Sequence, residues 1–220
     1  MSNQDKRVIS EIEKRSFDRL INFTDAVCAI AITLQLLPLI DIKANQGESI
    51  WQLLAANSSQ LLAFCFSFVV VSILWVKHNQ IFNVMRTFDG SIFWLNTMWM
   101  ALIVFLPWPA ALYGSISSEQ SISNPGAGLL YWWTMAAICA VGWMIAHHAW
   151  SHPELLEPAI SHDQQRLQNL TNYRGLSFFV AFFLMGCAAE LIPQTVPYLS
   201  FAVIPLSILN NKAKRYRSSS

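Results

Sequence analysis

Residues 19–37 read RLINFTDAVCAIAITLQLL, and the rest of the chain is organised around this stretch. Its apolar run is close to the length that crosses the roughly 30 Å hydrocarbon core of a bilayer. Asp25 stands at the start of that run, so we expect it to be carried into the membrane. A carboxylate there is costly unless it is paired or faces protein or water, which makes Asp25 a candidate functional residue.

An aliphatic stripe lies on another face of the same predicted helix. At about 100° per residue, Ile30, Leu34 and Leu37 fall within roughly 60° of one another, whereas Asp25 lies about 140° from Ile30. Packing or lipid contact is the ordinary role of such a stripe, and lining a pore is the alternative. Thr33 lies close to this face, although a threonine in a membrane helix often bonds to its own backbone.

The composition predicts an all-α integral membrane protein. Of 220 residues, 54% are hydrophobic and 12% are charged, whereas a soluble domain carries about 25% charged residues. The net charge of +1 gives no reason to expect a nucleic-acid partner. The four cysteines lie in apolar segments without CxxC spacing, which indicates small buried hydrophobic residues rather than disulfides or zinc ligands.

The apolar runs predict six transmembrane helices in one domain, residues 16–211, between a lead-in at 1–15 and a basic tail at 212–220. Each run is near the length needed to cross a bilayer, and Pro107 and Pro109 are expected to kink or end the third. The predicted spans are residues 17–40, 51–82, 91–113, 126–150, 170–190 and 197–211.

The distribution of basic residues predicts the orientation of these spans. With six spans, thirteen of the fourteen Lys and Arg residues fall on the side that holds both termini, and only Lys43 falls opposite. By the positive-inside rule both termini are cytoplasmic. An odd number of spans would scatter this bias, so it also favours an even number.

Polar residues where the first two helices share an end predict an inter-helix network. The first helix begins at the membrane side on which the second ends, so antiparallel packing brings Thr24 and Asp25 level with Trp75, His78 and Asn79. Two roles for Asp25 stay open. It is either a structural anchor bonded to the neighbouring helix or a group that contacts an ion directly.

Three histidines near the end of the fourth span, His147, His148 and His152, raise the question of a metal site. No acidic residue lies among them, and Glu154 follows only after a proline, so the pattern does not favour metal binding. The sequence also shows no nucleophile–base pair, phosphate loop or carbonyl filter, and we expect no enzyme activity.

Two motifs resemble the transmembrane protein 175 family of potassium channels. Residues 19–25, RLINFTD, are similar to the family's first-helix signature R-x-x-x-F-S-D, with Thr24 in place of Ser. Residues 75–82, WVKHNQIF, are similar to its W-x-x-H-H-x-x-F motif, with Asn79 in place of the second His. Leu95-Asn96 and residues 106–109, LPWP, are also similar to the family's third span. The resemblance covers spans one to three.

The resemblance implies a multi-pass potassium channel of the cell membrane, with the lipid bilayer, potassium ions and three further copies of itself in a homotetramer as its partners. No cofactor is implied beyond the permeant potassium ion. In the family the first helix lines the pore, and the tightest constriction is an isoleucine five residues after the motif's Asp. That position is Ile30 here, with Leu34 and Leu37 on the same face and Thr33 matching a filter threonine.

The same resemblance implies that Arg19, Phe23, Thr24 and Asp25 tie the first helix to its neighbours, together with the network residues of the second helix, Trp75, His78 and Asn79. An alternative is a proton-coupled secondary transporter that uses Asp25 and His78. Paired Gly or Pro breaks at mid-membrane, which point to carrier sites, are not evident. A third hypothesis is a membrane enzyme built on the three histidines.

Overall fold

The protein is a bundle of long apolar helices, described for residues 3–115, 126–158 and 174–191 by a computed structural model. Within these residues the chain is all-α, and the only extended pairing is an isolated bridge between Met85 and Leu156. The helices are α1 (Asn3–Leu34), α2 (Leu37–Ile40), α3 (Ile50–Ala56), α4 (Ser58–Phe82), α5 (Gly90–Phe105), α6 (Pro107–Ser115), α7 (Gly126–Ser151) and α8 (Arg174–Leu191), with a 3-10 turn at Pro153–Leu155.

Four segments of the described chain are long and apolar enough to cross a membrane: Glu11–Ile40, Ser58–Phe82, Gly90–Ser115 and Gly126–Ser151. They match the first four predicted spans. The fifth prediction, residues 170–190, corresponds to α8, whose apolar part is shorter than the other four. The sixth predicted span and the basic tail lie outside the described residues, so the count of six and the cytoplasmic side of the termini stay predictions.

Two predicted helices are interrupted. The first ends at Leu34, and Leu37 begins the separate helix α2, because Pro38 has no N–H to continue the ladder. The prediction that Leu37 continues the α1 helix is therefore wrong. The second predicted span was also expected to be one helix, yet it breaks at Asn57, whose amide donates to the carbonyl oxygen of Leu53 at 2.8 Å. The backbone N–H of Asn57 donates to the same oxygen at 3.2 Å, so Asn57 caps the end of α3.

The third span is interrupted where its prolines predict. α5 ends at Phe105, Leu106 keeps helical backbone angles, and α6 continues from Pro107. Proline cannot donate to the carbonyl one turn earlier, so the ladder is broken there.

The core lies around α7, which packs against α5, α6 and α8, while α1 packs against α4 and α5. Trp99 on α5 and Trp132 on α7 are the largest fully buried side chains among the described residues. α1, α5 and α8 start at one end of the bundle, named here the Asp89 end, and α4 and α7 start at the opposite end, named the Gln35 end. One face of α1 has no packing partner within the described chain.

Candidate functional site

From Phe17 to its end, the inner face of α1 is buried against α4 and α5. Its residues recur at helical spacing, and none is more than 4% exposed. They are Phe17, Thr24, Cys28, Ala31 and, directly after the helix, Gln35.

The outer face of α1 carries Ile30 and Leu34 of the aliphatic stripe, and its third member, Leu37, begins α2. Ile30 is 58% exposed, Leu37 is 54% exposed, and Leu34 between them is half-buried. Thr33 is exposed, and its hydroxyl donates to the carbonyl oxygen of Ile30 at 2.7 Å. Phe23, which lies two residues before Asp25 in the motif, is also exposed on this side. The outer face is therefore an apolar surface with one threonine oxygen available as an acceptor.

A buried chain of hydrogen bonds joins three helices. The amide of Asn96 on α5 donates to the hydroxyl of Thr24 on α1 at 2.8 Å, and Thr24 donates to the carbonyl oxygen of Leu20 at 2.9 Å. His78 Nε2 on α4 lies 2.8 Å from Asn96 Oδ1. Since the Asn96 oxygen can only accept, His78 Nε2 is the donor in this pair.

His78 is held as a core residue. It is 5% exposed, and its ring stacks between Phe82 and Trp99 with centroids 4.4 and 4.1 Å away. Both its ring faces and its Nε2 atom are therefore in contact with protein, which fixes its position between α4 and α5.

Asp25 makes a separate link to α4. Trp75 Nε1 donates to Asp25 Oδ1 at 2.8 Å, and this carboxylate is half-buried. Among the described residues, Asp25 and His78 share no hydrogen bond. Asp25 bonds α4 directly through Trp75, whereas His78 is linked to α1 only through Asn96 of α5. The Asp25–Trp75 pair reinforces the rotational position of α1 that the Thr24–Asn96 bond sets.

Two motif residues, Arg19 and Asn79, lie outside these hydrogen bonds. Arg19 is exposed and Asn79 is half-buried, and neither side chain bonds another residue of the described chain. Asn96 was noted only as part of a resemblance, and the predicted network did not include it. The amide of Asn96 is the strongest polar group in the mainly apolar stretch 91–106 and is the signal that points to it, because such groups bond partners on other helices.

The histidines of α7 lie at the Asp89 end. His148 Nε2 is 2.7 Å from Asp89 Oδ2, and Asp89 Oδ1 accepts the N–H of Ile92 at 2.8 Å, which caps α5. Partial burial on its own raises the pKa of Asp89, but the bonds from Ile92 and His148 outweigh it and hold the pKa below its ordinary value.

The other two histidines do not complete a metal site. α7 ends at Ser151 because Pro153 follows, so His148 lies on the helix and His152 lies just beyond it. Their rings stack at 4.1 Å, and His152 Nδ1 donates to the His148 carbonyl oxygen. His147 stacks on Trp143. The described residues contain no group of three metal-ligating side chains.

The site lies in the part of the chain that matches a known protein family. Residues 19–107 match the family model described as endosomal/lysosomal potassium channel TMEM175. A protein of Streptomyces collinus that is named a potassium channel is 30% identical over 142 residues, or 64% of this chain and 68% of that protein. The endosomal/lysosomal proton channel TMEM175 of Danio rerio is 27% identical over 147 residues, or 66% of this chain and 27% of that protein.

A solved structure has the same fold. The potassium-selective TMEM175 homologue from Chamaesiphon minutus superposes with a TM-score of 0.73 over 89% of this chain and 98% of its own, at 22% identity. The region matched by the family model contains the stripe and every member of the hydrogen-bond network, whereas α7 and α8 lie beyond it.

Proposed function

This chain belongs to the TMEM175 family of ion channels, and from that premise we propose that it is a potassium channel subunit whose pore is lined by α1. Because the family is one of ion channels, the chain is not an enzyme. The proposed constriction consists of Ile30, Leu34 and Leu37, with Thr33 supplying a hydroxyl oxygen beside it.

The observation that carries the proposal is the unequal burial of the two faces of α1. The face with Thr24 is sealed against α4 and α5, and Ile30 lies about 120° away from Thr24 around the helix and is exposed. The bonds of Thr24 and Asp25 to neighbouring helices fix this rotation. A pore helix needs a fixed rotation, because turning it would move the aliphatic side chains away from the pore axis and bring other side chains there.

Four copies with their α1 stripes around one axis form the proposed pore. A ring of Ile30 side chains obstructs hydrated ions and closes by dewetting, which is a known use of hydrophobic constrictions. Stripping water from potassium costs less than stripping it from the smaller sodium ion, so a narrow apolar ring favours potassium.

Proton conduction is the second candidate, because vertebrate relatives are named proton channels and this chain carries a buried histidine in its network. The observed bonds argue against a relay through it. His78 donates to an amide oxygen, the amide donates to Thr24, and Thr24 donates to a backbone carbonyl. A relay has to pass through Asn96, and an amide does not readily take up and release protons.

Flux into proteoliposomes tests the proposal. Purified protein is reconstituted, and uptake is measured separately under potassium, sodium and proton gradients, with empty vesicles as the control. We expect potassium flux well above that of empty vesicles and above sodium flux. Equal flux of potassium and sodium contradicts the proposed selectivity, and proton flux without potassium flux supports the second candidate instead.

A further inference from the structure

Five aromatic rings form a chain of stacked contacts at the Asp89 end of the bundle. His78 stacks on Trp99 and on Phe82, and Phe82 stacks in turn on Phe17 of α1, with ring centroids 5.9 Å apart and ring planes 10° apart. Phe17 also stacks on Phe88, in the turn between α4 and α5, at 6.1 Å and 27°. These separations are typical of aromatic pairs that attract one another. The rings therefore connect α5 through α4 to α1.

Phe17 gives α1 a second fixing point. It is 4% exposed and lies seven residues before Thr24, so the two side chains are about 20° apart around the helix and about 10 Å apart along it. Thr24 is held by its hydrogen bond to Asn96. Contacts at two levels on one face of a helix fix its tilt as well as its rotation.

The turn on which Phe17 packs is itself held in place. It carries Phe88, and it pairs with the chain that follows α7. The N–H of Arg86 donates to the Leu155 carbonyl oxygen at 2.9 Å, and the N–H of Glu157 donates to the Val84 carbonyl oxygen at 3.0 Å. Because these bonds hold the turn, Phe17 packs against a fixed surface.

An unbroken helix connects Phe17 to the stripe. α1 runs from Asn3 to Leu34 and contains no Gly or Pro, which are common causes of a kink. Ile30 lies about 9 Å beyond Thr24 along the axis, and Phe17 lies about 10 Å from Thr24 in the other direction. When α1 moves as a rod about Thr24, a shift at Phe17 moves Ile30 by a similar distance in the opposite direction.

We propose that Phe17 is a positioning residue for the constriction, because together with Thr24 it sets the tilt of α1 and so the distance of Ile30 from the pore axis. Phe17 lies on the buried face of α1, so it acts through the helix and not by contact with the ion. The effect on conduction rests on the proposed function, whereas the control of tilt does not. Phe17 also lies just outside the region matched by the family model, residues 19–107.

Labelling of two native cysteines tests the control of tilt without any transport. Cys28 lies one turn beyond Thr24 on the inner face of α1 and is 1% exposed, and Cys139 on α7 is 4% exposed. Purified protein in detergent is treated with N-ethylmaleimide, and labelling at each cysteine is followed by mass spectrometry. In Phe17→Ala we expect Cys28 to be labelled about two- to tenfold faster than in wild type, while Cys139 keeps its wild-type rate.

Potassium and sodium flux into proteoliposomes tests the effect on the constriction. Phe182→Ala is the matched control, because Phe182 is a phenylalanine of α8 that is 1% exposed and stacks on Trp132 at 6.0 Å. Both truncations remove a buried ring and should lower the melting temperature. We expect Phe17→Ala to lower the ratio of potassium to sodium flux by about two- to tenfold, whereas Phe182→Ala keeps the wild-type ratio.

A conservative variant keeps the test available when Phe17→Ala does not fold. Phe17→Leu retains much of the apolar volume, and it should show the same changes at a smaller size. Unchanged labelling of Cys28 in both Phe17 variants overturns the control of tilt. Equal acceleration at Cys28 and Cys139 also overturns it, because the whole bundle has then loosened.

The two measurements separate this inference from the proposed function. Faster labelling of Cys28 with an unchanged flux ratio overturns the role of Phe17 in the constriction, and so does an equal change of the ratio in Phe182→Ala. Faster labelling of Cys28 in a protein that passes no potassium contradicts the proposed channel and supports the control of tilt by Phe17.

Discussion

Asn96 is the residue at which three membrane helices meet. Its amide bonds His78 of α4 through the oxygen and Thr24 of α1 through the nitrogen, and no water is available in hydrocarbon to replace either bond. Removing one partner leaves the others buried and unpaired, which costs more than the bond itself contributes. The network therefore makes α1 sensitive to small changes at single side chains.

Thr24 provides the sharpest test of that sensitivity. Thr24→Val keeps the shape of the side chain but removes the oxygen that accepts from Asn96, and it should lower the free energy of unfolding by about 1–2 kcal/mol. Thr24→Ser keeps the hydroxyl and should lie closer to wild type. Unfolding of both variants in mild detergent measures the difference, and equal stability of Val and Ser variants would show that the bond contributes little.

At this scale the sequence predicts part of the site. Antiparallel packing of two helices is enough to bring Thr24 and Asp25 level with Trp75 and His78. It does not identify Asn96, because nothing in the order of residues says which face of α5 meets α1. Asn79 was expected in the network, but it lies about 100° around α4 from His78 and makes no side-chain bond to the described residues.

Among the elements, α5 depends on Asp89 at its start. The carboxylate caps the helix through the N–H of Ile92 and bonds His148 of α7, so one side chain joins the ends of two helices. α5 carries Asn96 two turns later, which places the cap and the network on the same rigid element.

Acid titration should reveal the Asp89 cap. Because the pKa of Asp89 in the folded protein lies below its ordinary value of 3.8, its contribution to stability is present above that value and is lost as the pH falls through the lowered pKa. Asp89→Asn keeps a good capping side chain but does not titrate, so its stability should fall less between pH 5 and pH 2 than that of wild type.

Melting temperatures of the two proteins across this range provide the measurement. Asp89→Ala serves as the control that loses the cap itself, at a cost of about 0.5–2 kcal/mol at neutral pH. Identical acid slopes for wild type and Asp89→Asn would mean that the carboxylate contributes nothing to the acid response.

Substitutions at two glycines of α7 test how closely α7 and α8 pack. A Cβ at Gly128 would lie 3.0 Å from Ala189 Cβ on α8, whereas a Cβ at Gly142 meets nothing nearer than Trp99 at 3.7 Å. Gly128→Ala should therefore destabilise the protein by about 1–3 kcal/mol through overpacking. Gly142→Ala should be neutral or more stable by up to about 1 kcal/mol, since alanine is the better helix former. Unfolding in detergent compares them, and a Gly128→Ala variant as stable as Gly142→Ala contradicts the close α7–α8 contact.

Helix type was predictable, and helix continuity was predictable only in part. Length and hydropathy predict the first four spans, and the two prolines predict the interruption between α5 and α6. At Asn57 the side-chain amide and the backbone N–H both bond the Leu53 carbonyl oxygen, and at Pro38 the backbone N–H is missing. Both are local features that a hydropathy pattern does not contain.

At the scale of the whole molecule, residues 3–115, 126–158 and 174–191 leave the apolar face of α1 uncovered. Lipid or other copies of the chain can cover such a face, and family membership favours a shared central pore. We therefore expect the purified protein to be a tetramer. Native mass measurement of the reconstituted or detergent-bound protein checks this, and a conducting species of one or two chains would contradict it.

The family could be predicted from the sequence because both of its motifs lie in one region of the chain. Residues 19–25 and 75–82 resemble the family, and the matched region, residues 19–107, contains both. The role of the stripe is less accessible, because an aliphatic face that lines a pore and one that meets lipid have the same composition.

The central claim is that Ile30 forms the constriction, and potassium flux of Ile30→Ala in proteoliposomes tests it most directly. Leu184→Ala is the matched control, because Leu184 is an equally exposed aliphatic residue, at 59% against 58%, on α8 outside the matched region. We predict that Ile30→Ala raises potassium flux or weakens its preference over sodium, while Leu184→Ala behaves as wild type. If wild type conducts potassium and Ile30→Ala is indistinguishable from it, another helix lines the pore.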